Sequence, residues 1–190
     1  MEAERLVEPF SILEIKSSVW ECDGDKALGP DGFNFKFLKR CWVGLEADFV
    51  AFFNKFHLGG GLNPGCTASF IALIPKVKDP MGFSDFRPIS LVGCINKVLS
   101  KVLVNQLKEV IGKLVSPEQS AFLSGRSILD GPLMLNEIVR WLRKSNTKEM
   151  LFKVDIDKAY DSISWGFLDS VPVLVNLWKV EKKLQKLKNR

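Results

Sequence analysis

The sequence predicts an α+β fold, and three patterns carry that prediction. Ile95, Val98, Leu99, Val102, Leu103, Leu107, Val110, Ile111 and Leu114 recur at three- and four-residue steps, the period of an amphipathic helix. Two β-rich apolar runs, Ser69 to Ile74 and Arg87 to Val92, flank a segment broken by Pro80 and Gly82, which is the pattern of a hairpin with a long tip. Near the C-terminal end Phe152, Val154 and Ile156 alternate with Leu151, Lys153 and Asp155, the two-residue period of a buried strand. Helices packed on a small, mostly antiparallel sheet satisfy all three.

The other elements follow in chain order. Ser11 and Glu14 have capping-box spacing ahead of Ile12, Ile15 and Val19, so a first short helix is expected, ended by Asp23-Gly24-Asp25. Lys26-Ala-Leu-Gly-Pro-Asp-Gly32 is a turn in which Asp31 can bond its own backbone. Phe33, Phe37, Cys41, Phe49, Phe52, Phe53 and Phe56 mark two core helices broken near Gly44, and Gly59-Gly60-Gly61 closes that region. Lys97, Lys101 and Lys108 lie off the apolar stripe of the long helix, on a solvated face. Ser116-Pro117-Glu118 opens a further segment. Asp130-Gly131-Pro132 then starts a helix carrying Leu135, Ile138, Val139 and Leu142, with proline in its tolerated position near the start. Ser164 stands where an N-cap belongs for a helix bearing Trp165, Phe167 and Leu168.

The chain of 190 residues is long enough for one domain with a real core or for a large piece of a bigger one, and its 46% hydrophobic and 26% charged residues are ordinary for a globular protein. Its net charge of +5 is local. Residues 177–190 hold six basic residues against Glu181, so the preceding stretch is balanced and overall basicity is no sign of nucleic-acid binding there. Cys22, Cys41, Cys66 and Cys94 are scattered, with His57 the one histidine, which speaks against a zinc site or a disulfide framework and fits a reducing compartment. The start has no basic and apolar leader, and apolar runs are broken by charges such as Lys97 and Lys101 before they reach membrane-spanning length. An intracellular protein of nucleus or cytoplasm, neither secreted nor in a membrane, is expected.

Chemistry gathers at the end of the third apolar run. Asp155 closes a strand where α/β sheets tend to bind ligands, with Asp157, Asp161, Lys153 and Lys158 close by. Such a cluster suits magnesium held together with phosphate oxygens. On residues alone a solvated strand-to-helix turn, common where aspartates gather, is the more ordinary reading.

The string Lys153-Val-Asp-Ile-Asp-Lys-Ala-Tyr-Asp161, followed by Ser-Ile-Ser-Trp165, resembles the first palm motif of reverse transcriptases of non-LTR (LINE-type) retrotransposons, particularly those abundant in plant genomes. Upstream, Lys26 to Gly32, Leu73-Ile-Pro-Lys76, Asp85-Phe-Arg-Pro-Ile-Ser-Leu91 and Gln119-Ser-Ala-Phe-Leu-Ser-Gly-Arg-Ser127 resemble the same family's earlier motifs, in the same order. The resemblance runs from about Phe10 to about Val171. It implies right-hand polymerase fingers and a partial palm over residues 26–171, after a helical lead-in at 1–25 and before a basic amphipathic tail at 172–190 that is unlike the family.

The resemblance also implies RNA-directed DNA synthesis on an RNA template and DNA primer, with deoxynucleotides and magnesium. Asp155 is then the catalytic metal ligand, with the backbone carbonyl of Ile156 beside it. Lys76 and Arg87 would meet the triphosphate, and Lys158, Ala159 and Tyr160 the nucleotide, Tyr160 lying under the sugar unless it is an amphipathic core tyrosine. Gln119, Arg126 and Lys97 would meet the template, although Arg126 read alone caps a turn and Lys97 lies on a solvated face. Asn96 and Gln106 depart from the Tyr and Arg usual in the family, and Pro132 interrupts a helix that the family continues.

Family members complete the metal site from a later hairpin with adjacent aspartates, whereas after Asp161 the acidic residues here are Asp169 and Glu181. A truncated polymerase fragment that binds magnesium weakly and is inactive alone is therefore expected. The alternatives are a catalytically dead nucleic-acid-binding module and a retroelement remnant without a selected role.

Overall fold

In the computed structural model, which describes residues 8–59, 61–145, 150, 152–154, 162–164 and 166–167, the first helix starts where its cap predicts. Ser11 Oγ accepts the Glu14 amide at 3.2 Å and opens α1 (Ile12–Glu21). Asn34 does the same for the Phe37 amide at 2.9 Å and opens α2 (Phe35–Arg40). Helix α3 (Trp42–His57) follows at once, so the break falls at Cys41 rather than near Gly44. Gly44 lies in the first turn of α3 with open space around it, where a missing side chain costs little. After the short α4 (Pro64–Thr67), β1 (Ser69–Pro75) and β2 (Phe86–Val92) form an antiparallel hairpin, joined through a 3₁₀ turn at Phe83–Asp85. Helix α5 (Cys94–Leu114) is the longest described, and α6 (Asp130–Ser145) is the last full helix described.

The core is helical. Ile15 and Val19 of α1, Phe35 and Leu38 of α2, Phe49, Phe53 and Phe56 of α3, and Val98, Leu99 and Val102 of α5 form one buried cluster. Burying a side chain such as Leu99 is worth about 1.5–3 kcal/mol relative to leaving it in water, so the predicted stripe of α5 is the spine of the fold. Helix α1 is part of that core and is tied to α5 by polar contacts. Lys101 pairs with Glu21 at 2.9 Å, and Asn105 Nδ2 donates to Ser18 Oγ at 3.3 Å and to Glu21 at 3.2 Å. The Lys101 and Asn105 bonds hold the Glu21 carboxyl below its ordinary range.

Two aromatic expectations change. Phe33 and Phe37 are exposed and stack on each other at 4.7 Å, while Phe35, Leu38 and Trp42 take the core positions. The Asn34 cap sets where α2 begins, and the face of α2 that turns inward carries Phe35 and Leu38. The third apolar run also differs. Phe152, Lys153 and Val154 are exposed and in no strand, and Leu151, Asp155 and Ile156 lie outside the described residues. A strand exists by pairing its amides with a neighbour, and among the described residues β1 and β2 pair only with each other. Ser164 does accept the Phe167 amide at 3.0 Å, the bond expected of an N-cap.

The architecture is thus α+β, a helical core with a small antiparallel hairpin that carries no buried side chain. Among the described residues no helix is long and apolar enough to cross a membrane.

Candidate functional site

Strand alternation places the hairpin's charges. Ile74 is opposite Arg87 and Pro75 opposite Phe86, and the Lys76 amide donates to the Asp85 carbonyl at 2.6 Å, which extends the ladder by one pair. Side chains two apart share a face, so Lys76 and Arg87 lie on one face of the hairpin, at its tip end beside the connecting loop, together with Asp85. Both cations are exposed. Lys76 Nζ donates to the Ser84 carbonyl at 2.7 Å, which anchors it at the tip. The Asp85 carboxylate folds the tip itself, accepting the amides of Met81 at 2.9 Å and Gly82 at 3.1 Å. Those two bonds, Met81 first, hold its carboxyl below the usual aspartate range, and Lys76 adds to the effect. An Arg and a Lys on one exposed face supply a bidentate donor and a point charge, a pair suited to a polyphosphate.

Behind the hairpin, the Lys26–Gly32 segment docks on the start of α5. Asp31 bonds its own backbone as expected, accepting the Phe33 amide at 3.4 Å, but its other oxygen accepts the amide of Cys94, the first residue of α5. It therefore caps a helix 63 residues away, with a carboxylate where the positive end of the helix dipole lies. The approach is close enough to require glycine twice. A side chain at Gly29 would land on the Val92 carbonyl group, and one at Gly93 would come within 2.7 Å of the Asp31 carboxylate. Cys94 Sγ donates to the Phe33 carbonyl at 3.0 Å, and burial, aided by Asp31, pushes its thiol up to about 11. Lys97, placed beside the template by resemblance, donates from Nζ to the Ala27 carbonyl at 2.7 Å and so closes the same joint.

The other end of α5 meets Arg126. Its Nη1 donates to the carbonyls of Ser116 and Gln119, and its Nη2 to those of Gly112 at 3.1 Å and Val115 at 3.0 Å. Gln119 Nε2 donates to the Ala121 carbonyl at 3.2 Å. The residues placed in the palm, namely Asp155, Ile156, Lys158, Ala159 and Tyr160, lie outside the described residues. Among the described residues there is no group of three or more His, Cys, Asp or Glu side chains that could hold a metal ion.

The hairpin thus brings Lys76 and Arg87 together, whereas Lys97, Gln119 and Arg126 each bond to main chain near opposite ends of α5. Asp85 and Asp31 were absent from the predicted site although both stand inside the quoted motifs. A carboxylate three residues after Gly82 was a usable sign of a capped turn, while nothing in the sequence marks the Cys94 amide as the partner of Asp31.

Comparison with known proteins points in one direction. The sequence model of the family described as reverse transcriptase (RNA-dependent DNA polymerase) matches residues 74–177, more than half of the chain. The chain is 26% identical over 165 residues to the transposon TX1 uncharacterized 149 kDa protein of Xenopus laevis, covering 87% of this chain and 13% of that protein. It is 24% identical over 156 residues to the retrovirus-related Pol polyprotein from the type-1 retrotransposable element R1 of Bradysia coprophila, covering 80% of this chain and 15% of the relative. It is 26% identical over 136 residues to the Pol polyprotein from the type-2 retrotransposable element R2DM of Drosophila melanogaster, covering 72% and 12%. The chain therefore spans only a small part of the length of these relatives.

Proposed function

The chain belongs to the reverse transcriptase (RNA-dependent DNA polymerase) family, as a fragment of the non-LTR retrotransposon type, and on that premise we propose that it supplies the nucleotide-holding fingers and the first palm segment of an enzyme that copies RNA into DNA. The family implies a divalent metal cation and a nucleic-acid template and primer. In this reading the metal is magnesium, held by Asp155 and the Ile156 carbonyl, the template is RNA, the primer is DNA, and deoxynucleoside triphosphates are the substrates. Gln119 lies toward the template, and Lys158, Ala159 and Tyr160 lie along the nucleotide.

The observation that carries the reading is the shared face of Lys76 and Arg87. Two cations on one exposed face of a hairpin, with Lys76 anchored by Ser84 and the tip tied by Asp85, form a preorganised cradle for a triphosphate rather than two scattered surface charges. Titration of a deoxynucleoside triphosphate in magnesium, followed by calorimetry, tests it. Charge-assisted hydrogen bonds are worth roughly 1.5–3 kcal/mol, so Arg87→Ala should weaken binding by at least about tenfold and Lys76→Ala by somewhat less. Unchanged affinity in both variants would remove the hairpin from the nucleotide site.

A further inference from the structure

We propose that Arg126 is a positioning residue, an internal clasp that shapes the loop after α5, and that it is not a phosphate contact. The proposal rests on the polymerase reading only for the claim that this loop faces nucleic acid.

A guanidinium has five N–H donors, four of them on its two terminal nitrogens. In Arg126 each terminal nitrogen donates to two carbonyls, Nη1 to Ser116 and Gln119 and Nη2 to Gly112 and Val115. All four terminal donors are thereby used on the main chain. Bidentate recognition of a phosphate needs at least one terminal nitrogen, so Arg126 could grip a phosphate that way only by releasing carbonyls it already holds. The side chain is also half-buried.

The carbonyls it collects are ones that no helix would satisfy. Gly112 is in the last turn of α5, Val115 is its C-cap, and Ser116 and Gln119 belong to the turn beyond. A cation there also meets the negative end of the helix dipole. Around this centre the chain makes a tight reversal, with the Gln119 amide on the Ser116 carbonyl at 3.1 Å and the Arg126 amide on the Leu123 carbonyl at 3.3 Å. Gly125 has φ +79°, and Phe122 takes φ +67°, a conformation uncommon for a bulky side chain, while the residue is 93% exposed. Such a backbone persists where its surroundings over-determine it, and the Arg126 bonds are the restraint at hand. Arg126 therefore fixes Gln119 directly through its carbonyl, and sets the presentation of the whole Gln119–Ser127 segment.

A clasp and a phosphate contact respond differently to lysine. Lysine keeps the charge but has one nitrogen on a flexible stem, so it can stand in for a phosphate contact but cannot span four carbonyls. The test uses the full 190-residue chain with Arg126→Lys and Arg126→Ala. It measures amide exchange at Gln119 and Arg126, with mid-α5 amides at Leu99 and Val102 as folding controls. It also measures affinity for a DNA-primed RNA oligonucleotide as a function of salt.

Both variants should lose about tenfold or more in protection at Gln119 and Arg126 while the control amides hold. Millimolar guanidinium should restore protection in Arg126→Ala and leave Arg126→Lys unchanged. Affinity should fall alike in both variants with the salt slope unaltered. Unchanged exchange in both variants overturns the clasp. A slope reduced by roughly 0.7–0.9 in Arg126→Ala and retained in Arg126→Lys overturns it in favour of a direct phosphate contact. Failure of the unsubstituted chain to bind the oligonucleotide would instead sink the polymerase reading, and the exchange data would still decide the clasp.

Discussion

Asp31 and Asp85 do the same chemistry at different range, and single substitutions separate them. Asp31 caps α5 from a loop 63 residues away, so its loss opens a joint between two parts of the chain and not merely a turn. Removing a helix cap costs about 0.5–2 kcal/mol, and Asp31→Ala should fall at the upper end because it also releases the contact that Gly93 is shaped to admit. Asp31→Asn should recover part of the loss, and denaturant melts of the three proteins give the comparison. Asp85 acts locally and answers to pH. Its folded-state pKa lies below the ordinary value of 3.8, so the bonds to Met81 and Gly82 contribute fully above that value and are lost as pH falls through the folded one. The amide resonances of Met81 and Gly82 should hold steady from neutral pH down to the ordinary aspartate range and move below it. In Asp85→Asn that acid-induced movement should vanish, and a persisting transition would assign it to another group.

At the scale of elements, what could be read in advance divides by the range of the interaction. The hairpin strands stand almost where their β-rich apolar runs and the loop residues between them place them, and α5 where its 3.6-residue period does, because each signal lies within a short stretch of sequence. Ser11 and Ser164 were legible as caps because a cap and its amide are three residues apart. The tasks of Asp31 and Lys97 were not, since each bonds to a backbone group 63 or 70 residues away that no residue type marks, and Arg126 was legible as the cap of a turn but not as the holder of four carbonyls. Periodicity likewise marked α2 as helical but misassigned its inner face, giving Phe33 and Phe37 the burial that belongs to Phe35 and Leu38. The Lys26–Gly32 loop shows what the hidden contacts do. It joins the end of β2 to the start of α5, so that the hairpin and the helical core are held at one point. Gly29 has no room for a methyl group there because the obstacle is the Val92 main chain, which cannot rotate away. Overpacking of this kind costs about 1–3 kcal/mol, and Gly29→Ala should reach the top of that range and loosen amide protection along β2. A variant as stable as the parent would mean that the loop can lift off α5 freely.

Among the described residues, the side-chain bonds that tie separate elements together gather on α5, while large apolar side chains of the hairpin and α6 are exposed. The hairpin exposes Phe70, Ile71 and Leu73, and α6 has no buried residue although Leu133, Met134, Ile138 and Trp141 lie along it. On the function proposed above, the hairpin supplies residues to hold a nucleotide, and catalysis asks for more than that. Phosphoryl transfer by two metals needs several carboxylates converging so that both ions are held against the attacking and leaving oxygens. Asp155 is the residue that the resemblance assigns to that task, and the acidic residues after Asp161 are Asp169 and Glu181, with no adjacent pair among them. Displacement of a reacting group by about 1 Å can already cost on the order of 100-fold in rate. The 190 residues by themselves should therefore bind a primed template and a nucleotide without joining them. Primer extension on a primed RNA template, first in magnesium and then in manganese, should give no product above the level of Asp155→Asn. Template-dependent extension that Asp155→Asn abolishes would show that a second copy of the chain, or a carboxylate already within it, completes the site.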